Sequence, residues 1–326
     1  MYKINKNYYS KTRIIVILLF ILALQCQTSE NRAVSQEKSN SLSGTSKSVM
    51  RALYIPNHQS REMEYIKSIV LKGKPLGINM LVMDVHTFGS TSLKVNSKVL
   101  EYLKSEKIYS TARVVCFQDG INQLPVSERK MKGLYELVSA ASSAGFDEVQ
   151  LDYIRFQDDG TPYPLKKKYA VIEELLKNFR KITDEKKVKL SADIFGRIVY
   201  NQNDIIGQKL EVFAAYTDVI YPMLYPSHYT GDRQRMSAPG ETVKEGTLKG
   251  LKRVEGKNVA IQPWIQAFPY NIQYAKVKLD QYVALQIKGV EETGARGWVA
   301  WNPNGDYSSV FSALSMDSSK KVSKAE

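Results

Sequence analysis

The sequence predicts a (β/α)8 TIM barrel. Two features of the chain after Arg51 carry that prediction. It holds eight short apolar runs, and these are separated by about as many amphipathic stretches over roughly 260 residues, the count and length of such a barrel. A third observation works against the rival, an open doubly wound sheet. Neither GxGxxG nor GxxxxGK[ST] occurs, although such sheets usually carry a glycine-rich phosphate loop.

The strands are read in order. RALYIP (Arg51–Pro56), INMLVMDV (Ile78–Val85) and YSTARVVCF (Tyr109–Phe117) come first. EVQLDYIRF (Glu148–Phe156), KLSADIFG (Lys189–Gly196) and DVIYPMLYP (Asp218–Pro226) follow, then VAIQPWIQAF (Val259–Phe268) and GWVAWNP (Gly297–Pro303). Between them, Arg61–Lys72 sets Met63, Ile66 and Val70 on one helical face. Glu128–Ala144 ends at Gly145, a helix-stop signal. Lys166–Lys181, Ile205–Ala215, Val243–Arg253, Ala275–Glu292 and the weaker Leu93–Lys104 complete the alternation, with a short helix after Asp306.

The ends of the chain read differently. MYKINKNYYSKTR is basic, and Ile14–Leu24 is an apolar run about half the ~20 residues that span a bilayer, so residues 1–26 are expected to be an export signal. Cys26 directly follows in LALQC, a pattern resembling the bacterial lipobox, so Cys26 is the expected lipidation site. Residues 27–49 are polar and read as a disordered tether, 50–315 as the barrel and 316–326 as a disordered tail. This organisation implies an exported protein, lipid-anchored to the bacterial cell envelope at the outer membrane or surface. The formal charge of +13 includes four basic residues of the signal, Lys3, Lys6, Lys11 and Arg13, leaving 13 − 4 = +9. The remaining lysines are scattered and no nucleic-acid motif accompanies them, so no nucleic-acid partner is expected.

In a barrel of this kind the reactive face lies at the C-terminal ends of the strands. There the sequence places His58, Asp84, His86, Asp152, Arg155, Asp193, Tyr221, Tyr225, His228, Trp264, Gln266, Trp301 and Asn302. Period-two alternation puts Asp152 on the face opposite Val149, Leu151 and Tyr153, and Asp193 opposite Leu190, Ala192 and Ile194. Both carboxylates are therefore expected to point into the barrel mouth from neighbouring strands, roughly 5–7 Å apart, near the ~5–5.5 Å of a retaining glycosidase pair. Asp152, with Arg155 as its expected counter-ion, reads as nucleophile, and Asp193, in a drier setting, as general acid/base. The aromatic set Tyr221, Tyr225, Tyr229, Trp264, Phe268, Tyr270 and Trp301 supplies flat platforms suited to sugar C–H faces. Asp84, His58, His86, Arg155, Tyr221, Tyr225, His228, Trp264, Gln266, Trp301 and Asn302 are the expected substrate-binding residues. His58, Asp84 and His86 show no HxH or HExxH spacing, so no metal and no cofactor is expected.

The segments FDEVQLDYIRF (Phe146–Phe156), SADIFG (Ser191–Gly196), DVIYPMLYPSHY (Asp218–Tyr229), QPWIQAF (Gln262–Phe268) and GWVAWNP (Gly297–Pro303) resemble the glycoside-hydrolase-like barrel domain of bacterial exported proteins, distantly similar to the alpha-amylase superfamily. The resemblance implies a carbohydrate site built around Asp152 and Asp193. Gln266 stands where many barrel glycosidases carry a nucleophilic Glu, so catalysis would fall to those two aspartates. The expected function is hydrolysis of a poly- or oligosaccharide. The alternative is a non-catalytic carbohydrate-binding or surface-interaction lipoprotein on the same scaffold.

Overall fold

The computed structural model describes residues 49–322 apart from 88, 159 and 160. The expected export signal, the expected lipidation site Cys26 and the expected tether up to residue 48 lie outside the described residues. The expected barrel is present. Strands β1 (Met50–Ile55), β2 (Met80–Asp84), β3 (Tyr109–Val115), β4 (Glu148–Asp152), β5 (Lys189–Phe195), β6 (Val219–Met223), β7 (Ala260–Ile261 and Trp264–Gln266) and β8 (Gly297–Trp301) pair in parallel, each with the next. The β8–β1 pairing closes the ring.

Helices α1 (Met63–Gly73), α2 (Ser97–Ser105), α3 (Glu128–Ser143), α4 (Leu165–Lys186), α5 (Leu210–Ala214), α6 (Pro239–Arg253), α7 (Leu279–Glu291) and α8 (Ser308–Val322) follow the strands in turn. The last helix runs past the boundary expected at 315, so residues 316–322, read from sequence as a disordered tail, are helical.

The two faces of each strand sort by side chain. Leu53, Ile55, Leu81, Met83, Ala112, Val114, Val149, Leu151, Leu190, Ala192 and Ile194 pack outward against the helices. Each of the buried Val, Leu, Ile and Met side chains among them stabilises the fold by about 1.5–3 kcal/mol. Ala52, Tyr54, Met80, Val82, Val219, Tyr221 and Val299 fill the inside of the barrel. β4 gives the inside a polar column instead. Glu148, Gln150 and Asp152 are all buried.

At the lower end of that column Glu148 is fully satisfied. It accepts from Tyr221 (2.6 Å), Ser191 (2.7 Å), Arg296 (3.0 Å) and Tyr109 (3.1 Å). Four donors make this buried carboxylate an anchor of the barrel floor.

Two strands stop sooner than their sequence pattern suggests. β4 ends at Asp152 because Tyr153 adopts φ +56°, a left-handed conformation that turns the chain, and its N–H bonds back to Asp152 Oδ1 at 2.6 Å. β7 is interrupted at Gln262–Pro263, where proline has no N–H for the ladder.

Candidate active site

The upper end of the β4 column opens into a cavity of about 350 Å³ at the C-terminal ends of the strands. Asp152 and Asp193 form its floor with Arg113, and Tyr153, Phe195, Tyr225, Tyr229, Trp264 and Trp301 wall it with Arg197 and His228. Gly196 lets β5 approach β6 here, since a Cβ at that position would meet the Met223 carbonyl oxygen at 2.3 Å.

Arg113, on β3, organises the floor. Nη1 bonds Asp84 Oδ1 at 2.5 Å, Nη2 bonds Asp152 Oδ2, and Nε lies 3.7 Å from Asp193 Oδ2. One guanidinium thus faces three carboxyl groups from three strands. Burial opposes its charge, but Asp84 and Asp152 outweigh that and raise its pKa. Asp84 is held in turn by the Tyr54 hydroxyl at 2.6 Å. Burial first, then Asp84, pushes that phenol well above its usual range, so it stays a hydrogen-bond donor.

The two aspartates differ in their surroundings. Asp152 meets a donor at each oxygen, Arg113 at Oδ2 and the Tyr153 N–H at Oδ1. Asp193 accepts from Trp264 Nε1 at 2.8 Å through Oδ1, while Oδ2 meets no protein donor within hydrogen-bond distance. Burial and the adjacent charge of Asp152 hold the Asp193 carboxyl well above the usual carboxylate range; Arg113 and Trp264 only partly oppose this. Arg113 faces both side chains, bonding Asp152 through Nη2 and lying 3.7 Å from Asp193 through Nε. The arrangement places two buried carboxyl groups with unlike hydrogen-bond surroundings at the foot of an aromatic-walled cavity.

Of the residues singled out from sequence, the structure brings Asp152, Asp193, Tyr225, His228, Trp264 and Trp301 together around the cavity. Asp84 reaches the site only through Arg113 and Tyr54. The others are engaged elsewhere.

Arg155 is not the counter-ion of Asp152. The turn at Tyr153 breaks the strand alternation, and Arg155 instead donates to the carbonyls of Gln118 (2.8 Å) and Phe156 (3.0 Å) and pairs with Asp158 (3.1 Å). Its guanidinium lies over the rings of Tyr153 and Phe195, so it backs the cavity wall from behind.

Tyr221 points down to Glu148 in the barrel floor. His86 is buried: Nδ1 donates to the Ser90 carbonyl at 2.7 Å and Nε2 accepts from the Val115 N–H at 2.9 Å, which ties the loop after β2 to β3. Burial lowers its pKa and suits this neutral form. Gln266 and Asn302 are buried and bind loop backbone, Gln266 at Phe268 and Tyr270 and Asn302 at Ala267. His58 lies exposed in the turn after β1 and does not line the cavity.

Arg113, Tyr153, Phe195 and Arg197 were not singled out from sequence. Arg113 carried a readable signal, a lone cation between the outward-facing Ala112 and Val114, which is the same parity logic that singles out Asp152. Among the described residues no group of three or more His, Cys, Asp or Glu side chains is arranged to hold a metal ion.

Comparison with known proteins agrees with this architecture. The barrel is similar to the PgaB (BpsB) glycoside hydrolase domain from Bordetella bronchiseptica, with a TM-score of 0.57 at 12% identity over 79% of this chain and 95% of that one. It is similar to a chitinase from Chromobacterium violaceum, with a TM-score of 0.55 at 12% identity over 82% and 98%. It is also similar to the Bacillus cereus spore cortex-lytic enzyme SleL, with a TM-score of 0.56 at 12% identity over 83% and 75%. At such identities the likeness is one of fold. No curated protein matches the chain. A family model described as "Putative glycosyl hydrolase domain" matches residues 125–307, from just before α3 to beyond β8 and more than half of the 326 residues. The chain belongs to that glycosyl hydrolase domain family.

Proposed function

We propose that this barrel hydrolyses O-glycosidic bonds in a poly- or oligosaccharide, with Asp193 as general acid/base and Asp152 as nucleophile. The observation that carries the reading is the contrast within one carboxyl pair. Burial and the neighbouring Asp152 hold the Asp193 carboxyl above the usual carboxylate range, with Trp264 as donor to Oδ1, and Asp152 has a donor at each oxygen. Asp193 gives its proton to the glycosidic oxygen as the bond to the anomeric carbon breaks. Asp152 attacks that carbon and forms a glycosyl ester. Water, deprotonated by Asp193, then releases the sugar and restores both groups.

In this scheme the two carboxyls work as a retaining pair, whose usual separation is ~5–5.5 Å. Trp264, Tyr225 and Trp301 offer ring faces to the sugar. The protein is further proposed to act at the bacterial cell envelope, anchored through lipidated Cys26. That part rests on the basic, apolar, cysteine order of residues 1–26.

The test is release of reducing ends from a panel of purified glycans. Wild type is expected to release them from at least one glycan, and Asp152→Asn to lose roughly 10³-fold in rate while still binding the same glycan. Binding without release by wild type would leave a carbohydrate-binding barrel and overturn the enzymatic reading.

A further inference from the structure

Resting on the carbohydrate reading above, we propose a second sugar-binding subsite on the rim of the barrel, with the Tyr270 ring as its platform. The substrate is then an oligosaccharide chain running from the acidic pocket outward over the loops after β6 and β7.

The rings between the pocket and the rim form an unbroken series. Trp301, in the cavity, stacks on Tyr225 with centroids 5.7 Å apart and 29° between planes. Phe268 meets both edge-on, at 5.1 Å from Trp301 and 5.8 Å from Tyr225. His228 contacts Tyr225 at 5.4 Å, and Tyr270 contacts His228 at 6.0 Å. Along this path burial gives way to exposure. Tyr225 is 8% exposed and Tyr270 54%.

The outer rings are also fixed in place. Gln266 Nε2 donates to the carbonyls of Tyr270 (2.8 Å) and Phe268 (3.0 Å). Its Oε1 accepts from the N–H of Ser227, the residue before His228, at 3.2 Å. One fully buried amide thus holds both loops that carry the rim rings. A large aromatic ring left half in water, on backbone clamped from below, is preorganised for a flat partner with an apolar face. A pyranose offers that face on its C–H side and keeps its hydroxyls toward solvent.

The experiment titrates wild type, Tyr270→Ala and Tyr270→Trp with the disaccharide and the hexasaccharide of the cello-, xylo-, manno- and N-acetylchito- series. Binding is read from the fluorescence of Trp264 and Trp301, and reducing-end release is measured in parallel. Wild type is expected to bind the hexasaccharide of one series more tightly than the disaccharide. Tyr270→Ala should weaken hexasaccharide binding roughly tenfold and leave disaccharide binding unchanged, the size of one lost aromatic contact. Tyr270→Trp should keep the preference for the longer chain. Equal affinity of wild type for the two lengths, or a preference that survives in Tyr270→Ala, overturns the subsite. Length-dependent binding without reducing-end release would sink the hydrolase reading and leave the subsite standing. Absence of binding to every series overturns both.

Discussion

Arg113 bonds Asp152 through Nη2 and lies only within 3.7 Å of Asp193 through Nε, so two carboxyl groups of one cluster receive unequal shares of one positive charge. Asp84 takes the remaining Nη1 at 2.5 Å and keeps the guanidinium from turning toward Asp193. In the proposed mechanism the division of labour between Asp193 and Asp152 follows from where β3 sets this arginine.

Removing that charge should therefore be costly. In Arg113→Met, Asp84 and Asp152 lose their ion pair in a buried setting, and the expected loss of stability is about 3–5 kcal/mol. Arg113→Lys keeps a charge but cannot reach Asp84 and Asp152 together, and should fall between wild type and Arg113→Met. Urea unfolding midpoints of the three proteins check this order. Equal midpoints would show that the cluster does not depend on Arg113.

The raised pKa of Asp193 has a stability consequence with a definite sign. The folded protein keeps a proton that the unfolded chain releases near the ordinary aspartate value of about 3.9. The slope of stability with pH is set by protons bound unfolded minus folded, here negative between the two values. The contribution is therefore fully present below the unfolded value and is lost as pH rises through the folded one. Asp193→Asn lacks this proton exchange. Its melting temperature should gain on that of wild type as pH is raised from about 4, where a pH-independent difference would contradict the raised pKa.

Arg155 is expected to act on the wall rather than on the acid pair. Arg155→Ala removes its bonds to Gln118 and Phe156 and its position over Tyr153 and Phe195, at a cost of about 1–3 kcal/mol. The pH dependence of turnover should keep its midpoints. A shifted limb in the pH–rate profile would mean that Arg155 reaches Asp152 after all.

The strand pattern made the barrel legible, because period-two alternation sorts residues such as Val149 and Leu151 from Asp152 whatever the loops do. That same rule put Asp152 and Asp193 in the mouth. It failed one residue later. Nothing in DYIRF announces that Tyr153 is left-handed, and the chain beyond that turn carries Arg155 to Gln118, Phe156 and Asp158 rather than to Asp152. The polar residues nearest the mouth were misread for a related reason. His86, Gln266 and Asn302 sit at strand ends, as site residues do, but a strand end also leaves loop backbone groups that need partners, and these three side chains supply them. Arg113 was legible by the same parity, since a buried acid pair needs a cation from some neighbouring strand.

The proposed anchor makes its own prediction. Full-length protein should partition with membranes, and Cys26→Ser should move it to a soluble fraction, read by fractionation and immunoblot. Wild-type protein already free of the membrane would remove the lipid anchor and leave the barrel's chemistry untouched.

In the proposed mechanism Asp193 protonates the departing oxygen while Asp152 takes the sugar. The most direct measurement is turnover of Asp193→Asn on two glycosides of the same sugar, one with an aryl leaving group that needs no proton and one with a sugar leaving group that does. The expected loss in kcat/KM, which reports the step that forms the glycosyl ester, is roughly 10²–10⁴-fold on the sugar leaving group and much smaller on the aryl one, with the fold intact by melting temperature. An equal loss on both substrates, or near-native turnover on both, would contradict it.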